Sequence, residues 1–277
     1  MGIRPEKAYK NLSFLNSPEA RAIRIMCEYE EPIHRFEKYN VTDTLVFFGS
    51  ARAKPLDEAQ NHLAHAKREL ARGEGDTSEL QSEVERATNA VRLAEYYEKT
   101  RELARRLTEW DMERMAKRRY FVCTGGGPGI MEAANRGASE VPGGKSVGLG
   151  ISLPFEEALN DYVSPELAFE FHYFFTRKYW FLYLCKAMVI CPGGFGTFDE
   201  LFESLTLRQT GKVKKSMPTV LFGTEYWNQV FNPKAMAEWG TISYSDLELY
   251  FLTDSVDDAY DYLVKAILEA EEADERE

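Results

Sequence analysis

The chain has 277 residues, 44% of them hydrophobic, and a net charge of −11, enough for one large α/β domain or two small ones with a substantial core. The acidic balance excludes nucleic-acid binding through a basic stripe; the basic runs Lys117–Arg119 and Lys212–Lys215 are short and read as solvated. No apolar run reaches membrane-spanning length, no signal core opens the chain, and Met1-Gly2 is followed by Glu6 where a myristoylation signal needs Ser or Thr. Cys27, Cys123, Cys185 and Cys191 show no paired metal-ligand spacing, and two of them fall in buried strand patterns, so a reduced, cytoplasmic chain without a metal site is expected.

Residues 1–40 read as a helical segment. Ser17-Pro18-Glu19 is a start signal, with a capping hydroxyl and a proline in the first turn. Ile23, Met26 and Cys27 then recur on one face, and Pro32 is expected to bend or end the helix. Thr44–Ser50 follows as a continuous apolar run closing in Gly-Ser, the pattern of a strand buried on both faces.

The stretch at about 54–118 is too long for a simple crossover. Leu56, Ala59, Leu63, Ala66 and Leu70 alternate spacings of three and four, and Leu80, Val84, Ala87, Val91 and Ala94 do the same after Gly73-Glu-Gly75. Asp76 and Glu79 have capping-box spacing. The two seams predict an inserted antiparallel helical hairpin, expected to be a peripheral arm used for oligomer contact. His62 and His65 lie in it without partner ligands.

Four further strand patterns lie at Tyr120–Thr124, Ser146–Ile151, Ala187–Cys191 and Pro218–Phe222, with a weaker one at Leu167–Phe174 and an edge candidate at Tyr250–Thr253. Helical patterns at Ile130–Glu140, Thr176–Lys186, Thr197–Thr210 and Val256–Ala270 separate most of them. The alternation predicts a doubly wound, mostly parallel Rossmann-like sheet with helices on both faces, spanning 41–270 as a single nucleotide-binding domain. The acidic tail 271–277 is expected to fray.

In such a sheet ligands bind beyond the carboxyl ends of the strands. Three loops there are unusual: Gly49-Ser-Ala-Arg52, Thr124-Gly-Gly-Gly-Pro-Gly129 and Pro192-Gly-Gly-Phe-Gly-Thr197. The two glycine-rich loops each join a strand to a helix, where small residues let backbone N–H groups and a positive dipole end approach a phosphate. Gly49, Ser50, Gly125, Gly126, Gly127, Gly129, Pro192, Gly193, Gly194, Gly196 and Thr197 are therefore candidate phosphate or nucleotide contacts. Two decoys fail. Glu132 stands where a dinucleotide fingerprint needs its third glycine, and Gly144-Lys-Ser146 has Ser139 in place of the first glycine of a P-loop.

The segments Gly125–Asn135, Phe175-Thr-Arg-Lys178 and Pro192-Gly-Gly-Phe-Gly-Thr-Phe-Asp-Glu200 resemble the Lonely Guy family of phosphoribohydrolases; the last matches that family's P-G-G-x-G-T-x-x-E pattern at every fixed position. The resemblance runs from about Arg21 to Lys214, interrupted by the helical arm, and Glu132 is similar to the longer bacterial-type members. It implies hydrolysis of a nucleoside 5′-monophosphate, AMP or a cytokinin ribotide, to free base and ribose 5-phosphate. It also implies catalytic roles for Arg177 and Glu200, nucleotide contacts at Glu132 and Lys178, no cofactor, and a homodimer or higher homo-oligomer with sites near the interface. Members have been labelled lysine decarboxylases, but nothing in the sequence marks a cofactor-bearing lysine.

Elementary chemistry supports the same reaction. Cleaving an N-glycosidic bond develops positive charge on the ribose, which a carboxylate can stabilise while orienting water. Each residue also has a plainer reading. Thr197 and Glu200 have capping-box spacing, Arg177 suits an ion pair, and Glu132 suits a helix start. Phe169–Phe175 and Tyr179–Tyr183 read as core, with one ring free to stack on a base. A non-catalytic nucleotide or molybdenum-cofactor carrier is the competing function, and a scaffold built on the helical arm is a third.

Overall fold

A computed structural model describes residues 4–114, 116, 118–153 and 158–274. Seven strands form one all-parallel sheet: β1 (Asp43–Phe48), β2 (Tyr120–Thr124), β3 (Ser146–Ile151), β4 (Ala168–Phe171), β5 (Cys185–Ile190), β6 (Thr219–Phe222) and β7 (Phe251–Thr253). Their order is β4-β3-β2-β1-β5-β6-β7. The order reverses between β1 and β5, so the topological switch point lies between the loops that leave those two strands. The five inner strands were legible as apolar runs because parallel strands covered on both faces carry few polar positions, whereas the edge strands β4, where Glu170 is exposed, and β7 gave weaker patterns.

The helices are α1 (Leu12–Leu15), α2 (Arg21–Lys38), α3 (Leu56–Arg72), α4 (Thr77–Arg114), α5 (Ile130–Ser139), α6 (Phe174–Tyr183), α7 (Phe195–Gln209), α8 (Thr224–Val230), α9 (Pro233–Glu238) and α10 (Val256–Asp274). Strand side chains alternate between two cores. Val46, Phe48, Met188 and Ile190 pack with Phe36 of α2, Trp180 of α6 and Leu201 of α7. Leu45, Phe47, Ala187 and Val189 pack with Leu103 and Leu107 of α4, Ile130 of α5 and Leu263 of α10.

Three expectations are corrected. Helix α2 runs through Pro32 without ending. Pro32 has no N–H for the Glu28 carbonyl four residues back, and Trp180 Nε1 donates to that carbonyl instead at 2.9 Å. The tail does not fray at 271: α10 continues to Asp274, and Glu271 accepts from Tyr120 OH at 2.7 Å; residues 275–277 lie outside the described residues. Nor are the basic runs simply solvated. Arg118 pairs with buried Asp43 at 2.7 Å, Arg119 with buried Asp111 at 2.8 Å, and Lys215 donates to the Leu182 and Tyr183 carbonyls at 2.7 Å. Lys117 lies outside the described residues.

The hairpin forms as α3 and the first half of α4, with Ala59, Ala66, Ala87 and Ala94 buried in its seam. Asp76 Oδ1 caps α4 by accepting from Ser78 N at 2.7 Å. The peripheral role is half wrong. Tyr97, Leu103, Ala104 and Leu107 are fully buried against the sheet, so the second half of α4 is the crossover helix between β1 and β2. The remainder projects past the carboxyl edge, where Arg92 reaches Glu225 in the first turn of α8. Among the described residues, no large apolar side chain of α3 or α4 is exposed. Replacing 56–115 with a linker is therefore expected to abolish folding. Leu107→Ala is expected to cost about 2–5 kcal/mol, measured by denaturant unfolding. A loss under about 1 kcal/mol would return this half of α4 to the periphery.

Candidate functional site

The loops after β1 and β5 meet at the switch point. Ser50 N donates to the Pro192 carbonyl at 2.9 Å, and Ile130 N donates to the Ser50 carbonyl at 3.0 Å, which ties the Gly125–Gly129 loop to the same crevice. Two glycines make this approach possible. A Cβ on Gly129, whose φ is +73°, would lie 2.3 Å from the Ser50 carbonyl oxygen, and one on Gly49 would lie 2.7 Å from the Ile130 side chain.

The Gly125–Gly129 loop rests on a polar network that the sequence did not flag. Thr124 Oγ1 accepts from Gly126 N at 2.8 Å and donates to Asn135 Oδ1 at 2.7 Å. Asn160 Nδ2 lies 3.0 Å from the carbonyls of Gly126 and Gly127 and from Asn135 Oδ1. Thr124 and Asn135 are buried, Asn160 is half-buried, and their bonds to one another hold the loop in place. Its only sequence signal is amide and hydroxyl residues inside apolar patterns.

The other loop is more open. Helix α7 begins at Phe195 with Gly194 as its N-cap. A Cβ on Gly194 or Gly196 would meet nothing within 4 Å, whereas one on Gly193 would collide with Thr197 Oγ1. Phe195 is 97% exposed, and Tyr226 OH donates to the Gly193 carbonyl at 2.5 Å. Thus the N-terminus of a four-turn helix faces open space at the switch point, the usual arrangement for an anion.

Thr197 and Glu200 do not form a capping box, because the helix starts two residues before Thr197 and no side chain caps it. Glu200 is buried instead, at 7% exposure, and its Oε2 has no hydrogen-bond partner. Desolvation raises its pKa to about 7; Lys178 and Arg177 pull it down, and Glu203 and Asp199 push it up. A buried carboxylate oxygen without a hydrogen-bond partner is costly, and such groups concentrate at functional sites.

Arg177 comes close enough to act on the Glu200 charge, by a route the strand order did not suggest. Their strands, β4 and β5, are separated by β3, β2 and β1, so strand adjacency does not bring them together. Helix α6 instead crosses the sheet face, and Arg177 Nε donates to the Leu149 carbonyl of β3 at 2.6 Å. The guanidinium lies over the Phe181 ring at 5.1 Å and so close to Gly125 that a Cβ there would sit 2.4 Å from it. The first turn of α6 is capped from α2: the Glu28 carboxylate accepts from His172 N at 2.7 Å and from Thr176 Oγ1 at 2.5 Å.

The remaining candidates divide. Lys178 lies beside Glu200, but its ammonium pairs with Asp199 and Glu203, each at 2.8 Å. Glu132, in the first turn of α5, accepts from the buried Tyr97 OH at 2.7 Å, so α4 holds it in place. Arg52 is exposed, with its N donating to Ser50 Oγ at 3.1 Å. Among the described residues, no group of three or more His, Cys, Asp or Glu side chains could hold a metal, and no helix is long and apolar enough to cross a membrane.

A sequence-family model described as "Possible lysine decarboxylase" matches residues 131–263. No curated protein matches the chain. Among solved structures, the Moco carrier protein from Chlamydomonas reinhardtii is similar at 17% identity and a TM-score of 0.45, over 82% of this chain and 99% of that one. The span matched by that family model, residues 131–263, holds Glu132, Arg177 and the Pro192–Glu200 motif.

Proposed function

We propose that the protein hydrolyses the N-glycosidic bond of a purine nucleoside 5′-monophosphate, AMP or a cytokinin ribotide, to free base and ribose 5-phosphate. The observation that carries this reading is Glu200: a buried carboxylate with an unpartnered oxygen, beside the open N-terminus of α7 and facing Arg177. The 5′-phosphate rests on Gly193–Thr197, where backbone N–H groups and the helix dipole receive it. Arg177 supplies a second positive group from across the crevice. The bond from C1′ to the base nitrogen breaks, its electron pair leaving with the base, and the water oxygen bonds to C1′. Glu200 in its ionised form stabilises the ribosyl cation and accepts the proton of the attacking water; the departing base nitrogen takes up a proton from solvent, and Glu200 returns its own to solvent before the next turnover.

The same reading takes the chain as a cytoplasmic homo-oligomer. Exposed Phe174 and Phe175 at the start of α6, Tyr183 at its end, and Ile23 and Met26 on α2 supply apolar surface for such contact.

Phosphate recognition gives the test. With the α7 N-terminus and Arg177 both reserved for an anion, kcat/KM for adenine release is expected to be at least about 10²-fold higher with AMP than with adenosine. The assay is chromatographic detection of free base. Equal kcat/KM for the two substrates would dismiss the phosphate cradle, and AMP binding without base release would favour a nucleotide carrier.

A further inference from the structure

Lys178 adjoins Arg177 on α6 but points its ammonium at α7. Its Nζ lies 2.8 Å from an Asp199 carboxylate oxygen and 2.8 Å from a Glu203 carboxylate oxygen. Those acids are one helical turn apart on α7 and bracket Glu200 in sequence. The lysine side chain is 18% exposed, so the bridge is partly shielded from solvent. The geometry points to Lys178 as a positioning residue that clamps α7 to α6 through Asp199 and Glu203 and so holds Glu200 opposite Arg177. This rests on the hydrolytic reading of Glu200, and it moves Lys178 from the phosphate, where the sequence put it, to the carboxylate.

The clamp is also electrostatic. The charged groups that act on Glu200 are Lys178 and Arg177 from α6, and Asp199 and Glu203 from its own helix. Lys178 favours the ionised form and the two acids oppose it, so the bridge balances its charges around a group whose ionisation the reaction needs. Removing the cation should make Glu200 harder to ionise, and removing one acid should make it easier.

Wild type, Lys178→Met, Lys178→Arg, Glu203→Gln and the double variant Lys178→Met/Glu203→Gln separate the possibilities. Two readouts are needed: the pH profile of kcat for base release from AMP, and the titration of the Glu200 side chain by carbon-13 NMR, assigned by the signal lost in Glu200→Gln. Lys178→Met is expected to move the Glu200 midpoint upward by about 1 pH unit or more. At pH 7, its kcat should fall roughly 5-fold or more with little change in KM. Glu203→Gln should move the midpoint downward, the double variant should return toward wild type, and Arg should rescue. Return in the double variant is the outcome that a merely structural lysine would not give. A midpoint unmoved in both Lys178→Met and Glu203→Gln would overturn the clamp, as would a rise in KM for AMP with kcat intact. If Lys178→Met does not fold, the Glu203→Gln shift decides alone. A wild type that releases no base while its Glu200 midpoint shifts as described would sink the hydrolytic reading and leave the clamp standing.

Discussion

Glu200→Gln is expected to keep the fold and AMP binding while losing on the order of 10²–10⁴ in kcat. The phosphate loop ends at Thr197, and α7 is capped at Gly194, so neither binding nor the helix start depends on Glu200. A second consequence follows from the raised pKa. The folded state holds the Glu200 proton more tightly than the unfolded chain, so this contribution to stability is fully present below the usual carboxylate range. It is lost as pH rises through about 7. Gln cannot ionise, so the variant is expected to be more stable than wild type at pH 8, by on the order of 1–3 kcal/mol, with the gap closing toward pH 4.5. Denaturant melts at the two pH values check this. A variant that loses stability equally at both would make Glu200 an ordinary packing residue. The acidic limb of wild-type kcat should likewise fall near pH 7 rather than pH 4.

Arg177→Ala is expected to lower kcat/KM for AMP by roughly 10²–10³, because it removes a fixed positive group from the crevice. Truncation also removes the bond to the Leu149 carbonyl, so a second variant isolates position from charge. Gly125→Ala leaves Arg177 in the chain but puts a methyl group 2.4 Å from its guanidinium. The other near neighbour is the Met131 sulfur at 2.8 Å, again the flexible end of a side chain, so the fold should tolerate the change. The Gly125 variant is expected to lose at least about 10-fold in kcat/KM, with Tm within about 5 °C of wild type. Full activity in Gly125→Ala would mean that the guanidinium position is not critical, and full activity in Arg177→Ala would remove it from the site.

Most of the sheet could be read from the sequence because strands buried on both faces are apolar at every position, as in Leu45–Phe48 and Met188–Ile190. The glycine loops were legible for a related reason: only glycine fits where Gly129 meets the Ser50 carbonyl. What escaped was whatever depends on long-range contact. Pro32 looks like a helix end until Trp180 takes the freed Glu28 carbonyl. Arg177 comes close enough to act on Glu200 through the path of α6, which no strand pattern reveals. The seam from Leu80 to Ala94 reads as a hairpin helix, yet α4 runs on past it and changes to sheet crossover partway along, near Tyr97. Lys178 reads as a nucleotide contact and Glu28 as one more charge on a helix, and only the packing of α6 against α7 and α2 gives them their partners.

The most direct test of the hydrolytic reading is product stoichiometry. Purified protein is incubated with AMP beside the Glu200→Gln variant, and adenine and ribose 5-phosphate are quantified together with AMP binding. The wild type is expected to release the two products in equal amounts over many turnovers, and the variant to bind AMP while releasing little of either. Tight binding of AMP by both proteins with no release from the wild type would contradict it.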